Sequence, residues 1–341
     1  MNDTTALTRQ NRRLSRLASD GLARSSIIVH QDCRAVLQEI RPYLVNPGQA
    51  ELLLGLLRGI NPTVSPVNVA QVAQLSPLRY PGGKTWLVPE IKAWMRSLPQ
   101  RPRTMVEPYA GGAIAGLSIA AEHLADAVIL VERDPAVAAL WELVIHGSDL
   151  EADELFQKIL RFDMTSDNVN IALSTYAMSL PTKAFATIVK NRVNRGGILA
   201  PGASRMKAGE NGKGLKSRWY PETLVKRMRM IRSFRHRLQA ISGDAFDLFP
   251  MMREEADTAW FVDPPYTASG TSAGNRLYVF SEIDHDRLFL EMSLCAGPVM
   301  MTYDDAPEVK ALAKKYGFTV KQVPMKTTHH EVKNELLLLK A

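Results

Sequence analysis

Cysteine is nearly absent: the 341-residue chain has only Cys33 and Cys295. They stand far apart and show no metal-ligand spacing, so the sequence argues against a disulfide framework and a zinc site and gives no other metal centre. Both are read as buried thiols. Long hydrophobic runs are missing as well. No stretch approaches the roughly 18 uncharged apolar residues that a spanning helix needs, and the N-terminus lacks an apolar segment followed by a small-residue cleavage site. The chain is therefore expected to be cytoplasmic and to make no membrane contact. Internal repeats and low-complexity tracts are absent too. What is present is 46% apolar residues, enough for one large domain or two of ordinary size.

Charge is unevenly spread. Between Lys183 and Arg237 fifteen Lys and Arg face two acids, Glu210 and Glu222, a local excess of +13 in a chain whose total is +7. The remainder carries −6. One basic segment on a mildly acidic protein is the footprint expected for a polyanion, because each neutralised phosphate releases condensed counterions.

Residues 1–76 read as an extension: a basic arm with Arg9, Arg12, Arg13 and Arg16, helical patterns over 35–40 and 50–57, then the Pro-containing link 61–66. From Leu78 onward short apolar runs alternate with helical patterns, as in an α/β sheet. Strands are expected at 104–106, 127–131, 239–241, 259–262 and 299–303, with helices over 87–98, 113–124 and 309–316, the last stopped by Gly317. An antiparallel pair, 318–323 with 335–339, closes the pattern. The interval 150–236, which contains the basic run and two glycine-containing loops, interrupts the alternation and reads as an inserted domain. The regions 77–149 and 237–341 then make up the principal domain.

Asp263-Pro264-Pro265-Tyr266 follows the apolar strand 260–262. Two prolines fix φ and remove two backbone donors, which leaves free carbonyls and a carboxylate beside an aromatic ring. Such a lip suits an exocyclic amino group on a flat base, which needs acceptors for its N–H bonds and a stacking partner for its face. Upstream, Glu107-Pro108-Tyr109-Ala110-Gly111-Gly112 places two glycines between a strand and a helix, where a ligand can approach closely. Glu132, twenty positions after Gly112 at the end of the next strand, has the offset of a ribose-binding carboxylate. Glu107 favours a cationic ligand over a phosphate. Asp244 reads equally as an acceptor for a cofactor adenine and as a plain Asx-turn. Trp219-Tyr220 among basic residues reads either as a base-stacking pair or as packing at a helix start, and His329-His330 as exposed turn histidines.

Three segments, Leu78-Arg79-Tyr80-Pro81-Gly82-Gly83-Lys84, Glu107 to Gly112 and Asp263 to Tyr266, resemble in this order the signatures of the Dam-like DNA adenine-N6 methyltransferases. The resemblance covers 78–341. It implies a Rossmann-like, S-adenosylmethionine-dependent methyltransferase sheet with a DNA target-recognition domain inserted at 150–236. By position it puts cofactor contacts on Tyr80, Lys84, Glu107, Gly111, Gly112, Glu132, Asp244 and Asp263, and catalysis on Asp263, Pro264, Pro265 and Tyr266. In the insert, Asn191-Arg192-Val193-Asn194-Arg195-Gly196-Gly197-Ile198 is similar to the family's DNA-reading loop. DNA contacts are expected from Lys190, Asn191, Arg192, Asn194, Arg195, Lys213, Lys216 and Arg218. Three departures stand out: Tyr80 replaces a usual Trp, Ala113 a usual Gly, and Glu132 a usual Asp.

The expected activity is methylation of adenine N6 in double-stranded DNA after base flipping, with Tyr266 as the stacking platform. The expected partners are DNA and a cognate restriction endonuclease, and the expected state is a monomer or weak dimer. The alternatives are methylation of cytosine N4, an RNA base or a protein glutamine, and a DNA-binding regulator without activity.

Overall fold

The computed structural model describes residue 38 and residues 72–174, 179–207, 212–266, 277–326 and 332–340. Contacts divide the chain into two units, Met1–Ser65 and Pro66–Ala341. The basic arm, the expected helix at 50–57, that at 35–40 apart from residue 38, Cys33 and His329-His330 lie outside the described residues.

The second unit is an α/β layer structure. Its elements in chain order are α1 (Val88–Ser97), β1 (Thr104–Glu107), α2 (Ile114–Ala121), β2 (Ala127–Glu132), α3 (Pro135–Ile145), α4 (Asp149–Arg161), α5 (Ser166–Ser174), α6 (Leu180–Val193), α7 (Pro221–Ser233), β3 (Leu238–Ser242), α8 (Ala245–Met252), β4 (Thr258–Val262), α9 (His285–Leu294), β5 (Val299–Asp304), α10 (Pro307–Lys315), β6 (Thr319–Lys326) and β7 (Val332–Lys340). The strands form one seven-stranded sheet in the order β3-β2-β1-β4-β5-β7-β6. The first five run parallel, and β7 is antiparallel to both β5 and β6. This is a Rossmann-like doubly wound layout.

Side chains alternate across the pleat, so each central strand feeds two cores. Met105 of β1 and Phe261 of β4 belong to one apolar cluster; Val106, Trp260 and Val262 belong to the other. Such two-sided burial explains why β4 reads as a continuous apolar run rather than an alternating one. Cys295 is buried, and burial pushes its thiol up to about 12.

The segment 150–236, expected as an inserted domain, forms α4 to α7. Phe156, Ile188, Val189, Met228 and Ile231 of these helices share one apolar cluster with α3 and the sheet. Two of its arginines serve that packing. Arg232 donates to the carbonyls of Leu143, Val144 and Gly147 at the C-terminal end of α3, and Arg235 to Gly147. Those carbonyls are the acceptors that a helix end leaves without intrahelical partners, and positive charge is favoured there.

The order of strands reverses direction between β1 and β4: the chain moves from β1 toward β2 on one side and from β4 toward β5 on the other. A crevice at the carboxyl ends of these strands is where doubly wound sheets place their ligands.

Candidate active site

A cavity of about 260 Å³ opens at that switch point. Its walls come from the segment after Leu78, the turns after β1 and β2, the N-terminus of α8, the lip after β4 and the segment 278–284.

The turn after β1 is built around Gly111. It stands at φ 46°, and a Cβ there would come within 2.5 Å of the Tyr80 ring. Only glycine meets both demands. The turn is held from both sides: Gly111 N–H donates to Glu132 Oε2 at 2.8 Å, and Trp141 Nε1 donates to the Gly111 carbonyl at 3.0 Å. Ala113, where the resembled family has glycine, caps α2 at φ 52°. That left-handed position costs an alanine about 1 kcal/mol.

Two acids lie beneath this turn. Glu107 is buried and accepts from Gly116 N–H of α2 at 2.8 Å. Burial raises its carboxyl, the Gly116 bond opposes the shift, and Asp263 and Glu132 add to it; the result is about 8. Glu132 accepts from Gly111 and, at 2.7 Å, from Asp134 N–H. Burial outweighs those bonds and brings it to about 7. Each of its oxygens keeps a lone pair for a ligand hydroxyl. Asp244 is the N-cap of α8. One oxygen accepts from Phe246 N–H at 3.0 Å, and the other pairs with Arg133 at 3.2 Å.

On the opposite wall stands Asp263, directly after β4. Its Oδ1 takes three donors: Thr302 Oγ1 at 2.6 Å, Lys84 Nζ at 2.9 Å and the Tyr266 hydroxyl at 3.2 Å. Its Oδ2 has no partner among the described residues, and the side chain borders the cavity. Pro265 also lines the cavity, whereas Pro264 is buried. Lys84 is buried; besides Asp263 it donates to the Gly82 carbonyl at 2.8 Å and stands 4.0 Å from Glu335 Oε2. Burial alone would lower its ammonium, but the two carboxylates outweigh that and raise it.

Tyr266 departs from its expected role as an open stacking platform. Its ring stacks on Tyr303 with centroids 5.7 Å apart, and Lys84 Nζ lies 4.9 Å from the ring centre. Its hydroxyl reaches both Asp263 and, at 3.3 Å, Glu335. The ring therefore supports the carboxylate from behind.

The basic-segment expectations are corrected more sharply. Asn191, Arg192 and Asn194 are buried. Asn191 accepts from Arg79 N–H at 2.9 Å and donates to the carbonyls of Arg79 and Gly197, both at 2.8 Å. Arg192 donates to the Pro77 carbonyl, and Asn194 to that of Ile198 at 2.7 Å. Gly197, at φ 76°, sits so close to Arg79 that a Cβ would strike the Arg79 carbonyl. Asn191 and Arg192 thereby fix the segment that leads to Tyr80 and Lys84, and the three side chains are buried. Lys190 donates to the Leu199 carbonyl at 2.7 Å. Arg195, Lys213 and Lys216 are exposed, Lys216 pairing with Asp163 at 3.0 Å, and Arg218 is half-buried. Trp219 packs edge-on against Phe162 at 5.6 Å, and Pro221 opens α7, as the packing reading has it.

Sequence reasoning missed Thr302, Tyr278 and Glu335. Thr302 lay inside a strand read as core. Tyr278 donates to the Pro81 carbonyl at 3.1 Å from a stretch with no pattern. Glu335 left one signal, an acid opening an otherwise apolar strand.

No family model and no curated protein matches this chain. Solved structures do match. A putative RNA methyltransferase of Pyrococcus horikoshii is 10% identical over 80% of this chain and 92% of its own, with a TM-score of 0.37. An rRNA methyltransferase of Streptomyces viridochromogenes is 15% identical over 81% and 94%, at 0.36. A precorrin-6y C5,15-methyltransferase of Geobacter metallireducens is 8% identical over 74% and 85%, at 0.33. Likenesses of this degree say nothing of substrate.

Proposed function

We propose that the chain is a site-specific DNA methyltransferase that moves a methyl group from S-adenosylmethionine to adenine N6 in double-stranded DNA. One observation carries the reading: three donors fix Oδ1 of Asp263, a residue that lines the cavity, while Oδ2 has no partner among the described residues. Such a carboxylate keeps acceptor capacity for an N–H group.

The cavity suits the cofactor on chemical grounds. Glu132, Asp134, Asp244, Asp263, Glu282 and Asp284 border it against two cations, Lys84 and Arg133, which are paired with Asp263 and Asp244; the net acidic lining disfavours a phosphate and favours a ligand carrying positive charge. Glu132 would hold ribose hydroxyls through its remaining lone pairs, and the Gly111 turn, roofed by Tyr80, would admit the amino-acid end. When bound, S-adenosylmethionine supplies a methyl group activated by a sulfonium.

The amino nitrogen of adenine is a poor nucleophile because its lone pair is delocalised into the ring. An N–H bond to Asp263 Oδ2 draws the nitrogen toward a tetrahedral form and localises that pair. Asp263 then accepts the proton that the nitrogen sheds. The base must leave the duplex to reach this depth, at a cost of on the order of a few kcal/mol. Phosphate contacts by Arg195, Lys213 and Lys216 offset it.

The test is Asp263→Ala. Methyl incorporation from labelled S-adenosylmethionine into unmethylated duplex DNA should fall by roughly 10²–10⁴-fold, while binding of duplex DNA largely persists. Retained turnover would falsify the role given to the carboxylate.

A further inference from the structure

Glu335, on β7, belongs to the site although nothing in the motifs points to it. It is buried, its Oε2 lies 3.3 Å from the Tyr266 hydroxyl and 4.0 Å from Lys84 Nζ, and both of these groups also touch Asp263 Oδ1. Two carboxylates thus share one ammonium and one phenolic proton. A tyrosine has a single proton to give, so with both acids ionised only one of its two contacts is a hydrogen bond at any moment.

We propose that Glu335 is a positioning residue that takes over the charge of Lys84 when Asp263 accepts the amino proton, the Tyr266 hydroxyl turning from one carboxylate to the other as it does so. The inference rests on the methyl-transfer reading. Its balance is simple. The N–H bond of the methylated nitrogen breaks, an O–H bond forms on Asp263, and Asp263 becomes neutral. Without a second carboxylate, the buried ammonium would be left uncompensated, which is strongly unfavourable at such depth. With Glu335 ionised, Lys84 keeps a counter-ion and Tyr266 keeps an acceptor. No O–H bond of Tyr266 breaks; only its direction changes.

The groups facing Glu335 are Lys84, Asp263, Tyr266, Tyr278 and, across the strand pair, Asp304. Burial raises the Glu335 carboxyl, Lys84 opposes, and Asp263 raises it further, to about 7. The charge hand-over needs the ionised form, so turnover should be lost as pH falls through that value.

The experiment has two arms. In the first, carbon-13 carboxyl labelling follows Glu335, assigned by the signal that Glu335→Gln removes. The inference expects titration near pH 7 and a lower midpoint in Asp263→Asn, where the like charge is gone. A midpoint near the ordinary 4.3, or one unmoved by Asp263→Asn, overturns it, whatever the substrate is. In the second, kcat on unmethylated duplex DNA should drop by at least about tenfold in Glu335→Gln, with the limb near pH 7 abolished and the KM for S-adenosylmethionine unchanged. A surviving limb overturns the inference. Wild-type protein that methylates no DNA contradicts the substrate reading instead, and leaves the first arm to decide on Glu335.

Discussion

The cavity and the basic segment carry opposite charges and spend them in opposite ways. Around the cavity, acids are held by donors on one side and keep acceptor capacity on the other: Asp263 through Oδ2, Glu132 through its spare lone pairs. In the basic segment many cations and amides are used up. Arg232 and Arg235 satisfy the end of α3, Arg192 and Asn191 hold the strand of chain at 77–79, and Lys190 holds Leu199. Charge density by itself thus marks neither a binding face nor a framework. Whether a polar atom has spare capacity facing a cavity or solvent is what separates the two.

Several changes would break or sharpen this contrast. The largest effect should come from the framework side. Asn191→Ala removes the acceptor of the Arg79 N–H and the donor to the Arg79 and Gly197 carbonyls; of these the Gly197 bond is buried, and a buried unsatisfied group costs about 1–3 kcal/mol. Denaturant unfolding should show a loss of about 1–3 kcal/mol; no loss would mean the clamp is dispensable.

On the cavity side, Glu107 titrates near 8 in the folded chain but near 4.3 when unfolded. A raised carboxyl contributes stability that is whole below the unfolded value and lost as pH rises through the folded one. The melting temperature of the ligand-free protein should therefore fall from pH 5 to pH 9, and Glu107→Gln should flatten the fall. Parallel curves for the two proteins would contradict the burial of that acid.

The smallest effect concerns DNA. Arg195→Ala and Lys213→Ala, at exposed positions, should each reduce the slope of log K against log salt by about 0.9 without altering stability. Arg192→Ala should do the reverse, lowering stability with the slope intact. If Arg192 alone changed the slope, the buried position assigned to it would be wrong.

Much of the sheet was legible because its signals are local. The run 259–262 is apolar on both faces, Gly317 stops α10, and the closing pair shows in the apolar residues of 318–323 and 335–339; all three follow from side-chain pattern and backbone preference. The cavity's acids and glycines were legible for a related reason, since a turn at a strand end must carry them in sequence order. The fate of 183–237 was not legible. An asparagine that clamps Arg79 from 112 residues away has the same letters as one that reads a base, and only the fold reveals that its partners are backbone atoms. Glu335 was hidden in the same way, because β7 reaches the site only through an antiparallel return beside β5.

The most direct measurement is nucleoside analysis of unmethylated duplex DNA incubated with the protein and S-adenosylmethionine. The account predicts N6-methyladenine, produced by the wild type and missing with Asp263→Ala. N4-methylcytosine alone, or no modified base at all, would contradict it.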